Sequence, residues 1–339
     1  MQGEIQKEKS LGYIGKLLLP VKVSTHFKFL WIGQLLSALG SSITMVILPV
    51  VVYSLTGSTV VMGMTMAMYM LPNILALPFA GLIVDRIDRV RLMLFTDIIR
   101  CILMLLLASL IFMDLLTITI LYILVAIYGL MEGIFQPAYS AVRAKVFVPE
   151  IRNAANALTQ MSNQGIRLIG PALGGLIVSV ASAGIGFGLD AATYLLSFLC
   201  LLFLKEIKFK KVKPIEKSKL NYKQEFMEGV LMSGIALLIM PFISWAPALI
   251  FLMAIEGFGM MIFGLIWETS LQELVPEEAF GRVASLDMLG SFALLPLGYV
   301  VVGWLATVIG GEITIITLAS LVILTIGIAL SVPSIRRFN

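Results

Sequence analysis

Residues 29–84 read FLWIGQLLSALGSSITMVILPVVVYSLTGSTVVMGMTMAMYMLPNILALPFAGLIV, 56 positions without an Asp, Glu, Lys or Arg. A membrane helix needs about 20 apolar residues to cross roughly 30 Å of hydrocarbon, so this run holds two crossings. They are predicted near 30–53 and 59–84, with a turn at Ser54-Leu55-Thr56-Gly57-Ser58. The same reading, carried outward, places further spans near 92–113, 117–142, 155–180, 187–204, 230–245, 248–268, 284–308 and 312–332, ten in all. Trp245-Ala246-Pro247 is taken as the break between the seventh and the eighth. The runs are continuous rather than alternating, which argues against a transmembrane barrel.

The composition agrees. Of 339 residues, 59% are apolar and 13% charged, with a mean hydropathy of +1.01. Soluble domains run at about 45–50% apolar and about 25% charged, so a water-facing surface and a disordered chain are both excluded. Cys101 and Cys200 each sit in an apolar run, and His26 is the single histidine. These build neither a disulfide framework nor the usual zinc or iron sites. There is no Gly-x4-Gly-Lys-[Ser/Thr] and no nucleophile or His–carboxylate motif, so an enzyme is not expected.

The cations decide the orientation. Of the 24 Lys and Arg, 22 lie outside the spans: before Phe29, in 85–91, at Arg143, Lys145 and Arg152, as eight lysines in 205–223, and at Arg282, Arg336 and Arg337. None falls in the turns near 54–58, 114–116, 181–186, 245–247 or 309–311. The positive-inside rule then predicts both termini in the cytoplasm. The first 28 residues have no apolar core with a cleavage site, so no signal peptide is expected. The expected organisation is a cytoplasmic segment 1–28, a six-helix bundle 29–204, a basic linker 205–229 and a four-helix bundle 230–335. The linker is either a topology-fixing loop or a lipid-binding patch.

Two positive loops resemble each other: Val148-Pro149-Glu150-Ile151-Arg152 with Ala157-Leu158, and Val275-Pro276-Glu277-Glu278 with Gly281-Arg282 and Ser285-Leu286. Each follows an Ile-Phe, at 134–135 and 262–263, which suggests a duplicated six-helix unit. The second loop comes roughly 70 residues earlier than a faithful repeat would put it, which is two helices at about 30–35 residues per helix with its loop. The expected break lies just after Glu228-Gly229.

Several motifs resemble the major facilitator superfamily. Gly81-x3-Asp85-Arg86-x-Asp88-Arg89-Val90-Arg91 resembles its loop signature Gly-x3-Asp-Arg-x-Gly-Arg-[Arg/Lys], with Asp88 in place of the second Gly and Val90 in place of a basic residue. Gly165-x4-Gly170-Pro171-x2-Gly174-Gly175 resembles the exporters' antiporter signature. Phe135-x-Pro137-Ala138, Asn156-Ala157-Leu158, Leu271-Gln272 and Pro296-Leu297-Gly298 look like the drug-exporter branch that includes macrolide efflux proteins. The resemblance covers about 29–335. It implies an all-α integral membrane bundle, here six plus four helices where the family has twelve. It also implies a multi-pass protein of the cytoplasmic membrane, acting as a monomer.

The implied activity is efflux of amphipathic small molecules by alternating access, driven by a proton gradient and without a cofactor. The partners expected are lipid and substrate, with no nucleic acid. A transport-incompetent remnant and an uptake facilitator are the alternatives. In the gate loop, Asp85 can cap a neighbouring helix dipole, and Arg86, Arg89 and Arg91 can latch onto carboxylates. Gly165, Gly170, Gly174 and Gly175 allow close helix approach, and Pro171 can kink its helix. Polar stripes occupy the fifth span (Gln160, Asn163, Gln164, Arg167), the fourth (Tyr128, Glu132, Gln136), the first (Gln34, Ser37, Ser41, Thr44) and the second (Thr65, Tyr69, Asn73). Such stripes face one another or a wet cavity, because polar faces are costly against lipid. The second span's methionines, at 62, 64, 66, 68 and 70, suit a permissive apolar site or ordinary packing. Glu132 and Arg167 lie at matching depths, so they are expected to pair or to share a wet cavity, with Glu132 as proton carrier. Glu256 is the second candidate carrier; Asp97 is the third, and can instead pair with Arg100 three residues on.

Overall fold

A computed structural model describes residues 13–204, 222–276, 279–294, 298, 301–302, 305 and 308–331. Residues 1–12, most of the basic linker, Glu277, Glu278 and the Pro296-Leu297 pair lie outside them, as does the side chain of Asp85. After two short helical turns, Tyr13–Leu17 and Leu19–Val23, the long helices are α1 Thr25–Thr56, α2 Thr59–Arg86, α3 Arg89–Phe112, α4 Ile118–Val146, α5 Arg152–Val180 and α6 Ala183–Leu202. The later ones are α7 Tyr222–Ile239, α8 Ala246–Leu274, α9 Phe280–Phe292 and α10 Gly311–Ser331. The described residues contain no strand.

Local chemistry sets the ends. Ser24 caps α1 by accepting from the Phe27 amide at 3.1 Å. Gly57, at φ 63°, closes it in the left-handed conformation that glycine adopts without strain. Ser58, Thr117 and Ser182 cap α2, α4 and α6 in the same manner. Asp88 accepts from the Arg91 amide at 2.9 Å and caps α3. Asp88, one of the two departures from the loop signature, thus has a structural task.

Most helices extend several residues beyond the predicted spans, because hydropathy marks the lipid-crossing part and not the polar turns continuing from it. The seventh segment differs more. Its helix ends at Ile239, and Pro241 sits in a 3-10 turn, Met240–Phe242. Pro247 instead occupies the first turn of α8, where its missing N–H costs nothing. Among the described residues six helices are long and apolar enough to cross a membrane: α1, α2, α3, α4, α6 and α8. The polar stripe of α5 keeps it out of that group, and the described apolar parts of α7 and α10 are shorter.

The chain divides into two units. The first comprises 1–213 with 275–293, and the second 214–274 with 294–339. In the first, α1 packs on α5 and α6, α3 on α4 and α6, and α2 on α4, while α9 lies against α2 and α4. Its core includes Ile47, Leu48, Val52, Met104, Leu121, Phe187 and Tyr194. Gly129 of α4 faces the backbone of α2 so closely that a Cβ there would lie 2.9 Å from the Tyr69 carbonyl carbon. Backbone contact of this kind is how helices associate where lipid removes the hydrophobic driving force. In the second unit α7 packs on α8 and α10.

Candidate functional site

The core of the first unit is polar at its centre. Arg100 of α3, 1% exposed, forms ion pairs with Asp97 on its own helix and with Glu132 Oε2 of α4, the latter at 2.6 Å. Each carboxylate has a further donor. Ser197 Oγ of α6 donates to Asp97 Oδ2 at 2.8 Å, and Gln136 Nε2 donates to Glu132 Oε1 at 2.6 Å. The guanidinium lies over the rings of Phe135, at 4.0 Å, and Tyr194, at 4.6 Å. A planar, delocalised cation suits this place, because its faces stack while its edge donates in a fork.

A second group adjoins it. Asp190 of α6 is fully buried, with Thr44 Oγ1 of α1 2.5 Å from its Oδ2 and Thr193 Oγ1 3.3 Å from its Oδ1. Tyr194 shares hydrogen bonds of 2.8 Å with Ser41 and with Tyr128, whose ring stacks on Tyr69. Two carboxyl groups, Asp97 and Glu132, therefore hold one guanidinium among the described residues, and a third, Asp190, adjoins them through Tyr194 on its own helix. Glu132 is the open member, 15% exposed, while Asp97 and Asp190 are sealed. On its other side α4 borders an apolar groove with α2, lined by Leu71, Pro72, Leu75, Phe79, Leu130 and Ile134.

The expected Asp97–Arg100 contact is present, but the partner of Glu132 is Arg100 and not Arg167, which is exposed. Sequence depth measures height along a helix, not azimuth. Arg100 lies 11 residues into α3 and so matches the height of Glu132 as well as Arg167 does. The fork of the guanidinium lets it serve both its local carboxylate and Glu132. On α5, Gln160, Asn163 and Gln164 are half-buried. The helix is tied to α1 by Trp31 Nε1 donating to Ser162 Oγ at 3.1 Å. Gln34 holds a buried side-chain oxygen with no partner among the described residues.

The glycine motif of α5 splits in two. Gly170 and Gly174 sit against Ser42, Ile43 and Val46 of α1, whereas Gly165 and Gly175 have open space among the described residues, and Pro171 is exposed. In the gate loop, Gly81 lies against α9, where a Cβ would be 3.2 Å from the Arg282 Cα. Arg86 and Arg91 are exposed and Arg89 half-buried. Arg143 donates to Asn156 Oδ1 at 3.1 Å and so joins α4 to α5. Glu256 belongs to the second unit, where Ser233 donates to its carbonyl oxygen at 3.0 Å.

Sequence reasoning missed Asp190, Thr193 and Tyr194. A signal was present: Asp190, Thr193, Tyr194 and Ser197 are spaced by three, four and seven, the same one-face template that marked the other stripes.

Apolar helices of membrane-crossing length, packed through glycines around a buried ionic centre, define a multi-pass helical membrane protein. The Major Facilitator Superfamily model matches residues 30–228, and the chain belongs to that superfamily. It is 28% identical over 175 residues to the "Uncharacterized MFS-type transporter YfiS" of Bacillus subtilis (strain 168), covering 51% of this chain and 40% of that protein. It is 34% identical over 162 residues to the "Putative bacilysin exporter BacE" of the same strain, covering 45% and 37%. The matched region thus spans about two fifths of the length of these relatives. Among solved structures, a bacterial homologue of the iron transporter ferroportin, in an outward-facing state, aligns with a TM-score of 0.71 at 12% identity, over 89% of this chain and 99% of that one. The human organic anion transporter MFSD10 aligns with a TM-score of 0.66 at 14% identity, over 89% and 98%. At these identities the likeness is one of fold.

Proposed function

We propose that the chain is a proton-driven exporter of amphipathic small molecules, working by alternating access in the cytoplasmic membrane. It acts as a monomer with ten spans and both termini inside. The observation that carries this reading is the cluster of Asp97 and Glu132 on Arg100 with Asp190 beside them, three carboxyl groups to one cation among the described residues. Ionised carboxylates at membrane depth are costly and mark proton pathways in pumps and transporters. An excess of carboxyl groups over cations leaves at least one place for a titrating proton. Glu132, the partly exposed member of the cluster, is the one through which the proton enters. The groove is apolar, as the hydrophobic part of an amphipathic substrate requires. The resemblance of this chain to a relative named as a putative exporter supports the outward direction.

The test is movement of an amphipathic cationic dye in vesicles containing the purified chain under an imposed pH gradient. Gradient-dependent movement, lost in Glu132→Gln with the protein still in the membrane, is the expected result. Movement indifferent to the gradient would remove proton drive. No movement at all would favour the transport-incompetent reading, which rests on the six-plus-four helix count.

A further inference from the structure

We propose that Asp190 is the carboxylic acid that holds the coupling proton. It is protonated in this conformation, while Asp97 and Glu132 stay ionised on Arg100. The inference rests on the proton-driven reading above and names the group that carries the proton.

A threonine hydroxyl has one proton to donate. Thr44 Oγ1 lies 2.5 Å from Asp190 Oδ2 and 3.9 Å from Met104 Sδ. Thr193 Oγ1 lies 2.7 Å from the Asp190 carbonyl oxygen and 3.3 Å from Oδ1. Were Asp190 ionised, both hydroxyl protons would have to turn to its side chain, away from the Met104 sulfur and from the nearer carbonyl. With a proton on Oδ2 three of the four contacts have a donor, and only the 3.3 Å approach of Thr193 to Oδ1 is left without one. The acid donates to Thr44, Thr44 donates to Met104, and Thr193 keeps its shorter bond to the carbonyl. Among the described residues neither ion pair involves Asp190; Arg100 gives its forks to Asp97 and Glu132. A fully buried carboxylate without a cation neutralises itself rather than bear the desolvation.

The place is shaped for this residue. A Cβ at Gly40 of α1 would lie 3.1 Å from the Asp190 Cα and would collide with its carboxyl and with Thr193. The titratable groups around Asp190 are Asp97, Arg100 and Cys101 of α3, Tyr128 and Glu132 of α4, and Tyr194 of α6. Helices α1 and α5 bring hydroxyls and apolar groups to this cluster. The proton therefore sits in the α1–α6 seam. Parting of the two helices would let Asp190 release one proton on one side and regain one on the other, with one unit of charge changing per cycle.

Infrared spectroscopy of the purified full chain in detergent reads this directly. A carboxylic acid C=O stretch is expected at neutral pH, shifting in heavy water. It should be lost in Asp190→Asn and kept in Asp97→Asn and Glu132→Gln. Thr44→Val should retain the band at higher wavenumber, because the acid loses its acceptor; this variant decides the matter if Asp190→Asn does not fold. Absence of the band in the native protein, its survival in Asp190→Asn, or an unmoved band in Thr44→Val would overturn the assignment. So would vesicles in which Asp190→Asn retains movement driven by the pH gradient. If the native protein shows no gradient-driven movement while the band behaves as expected, the proton-driven reading falls, and the coupling role with it, but not the buried acid.

Discussion

Replacing Arg100 by Gln removes the one cation between two buried carboxylates. Asp97 would be left with Ser197 as its donor and Glu132 with Gln136. Breaking a buried ion pair by deleting one partner costs about 3–5 kcal/mol, because the orphaned charge stays buried. The first unit has the size at which 1 kcal/mol moves a melting temperature by roughly 2–4 °C, so the expected fall is about 6–20 °C. Size-exclusion chromatography of heated, detergent-solubilised protein measures it. Arg167→Gln is the control: its side chain is exposed, and the change should stay within about 0.5 kcal/mol. Adding Asp97→Asn to Arg100→Gln should recover part of the loss, since one orphan anion is then gone. A fall below 2 °C for Arg100→Gln, or equal damage from Arg167→Gln, would refute the reasoning.

Gly129→Val should prevent accumulation of folded protein, since a side chain there meets the α2 backbone at Tyr69; western blotting of membranes checks it, and wild-type levels would contradict the packing. Gly81→Leu should leave the fold of α1–α6 intact but force α9 from α2, so that the accessibility of a cysteine introduced at 285 rises; unchanged accessibility would contradict the packing. Asp88→Ala should cost about 0.5–2 kcal/mol of thermal stability through loss of the α3 cap. Reporter fusions after Ser58 and Gly184 should read outside and after Lys213 inside; the opposite at any one sinks the topology.

Much of the helical architecture was legible because a bilayer demands long uncharged runs, and residues 29–84 supply one. Helix ends were less legible. Pro241 and Pro247 are both plausible breakers, and only the fold shows that the first ends a helix while the second begins one. Of the site, Glu132, Gln136, Tyr128 and Thr44 stood out by their stripes, and Asp97 by its spacing from Arg100. The Arg100–Glu132 pair was hidden because helical rise gives a residue's height but not the direction it faces. Asp190 was hidden because the sixth span is predicted to begin at 187, so that an acid three residues on reads as an ordinary helix-end residue, whereas the helix begins at Ala183 and buries it two turns in. Its partner Thr44 is 146 positions away. The role of Gly40 is likewise invisible until α1 and α6 are set side by side.

Proton drive requires that a pH gradient move substrate through this chain by way of its buried carboxyl groups. Vesicles holding the native protein, Asp190→Asn or Glu132→Gln, loaded with an amphipathic cationic dye and given an imposed gradient, measure that in one experiment. The expected result is gradient-driven dye movement by the native protein, with loss of drive in both variants although each is present and folded. Gradient-driven movement undiminished in both variants would contradict it.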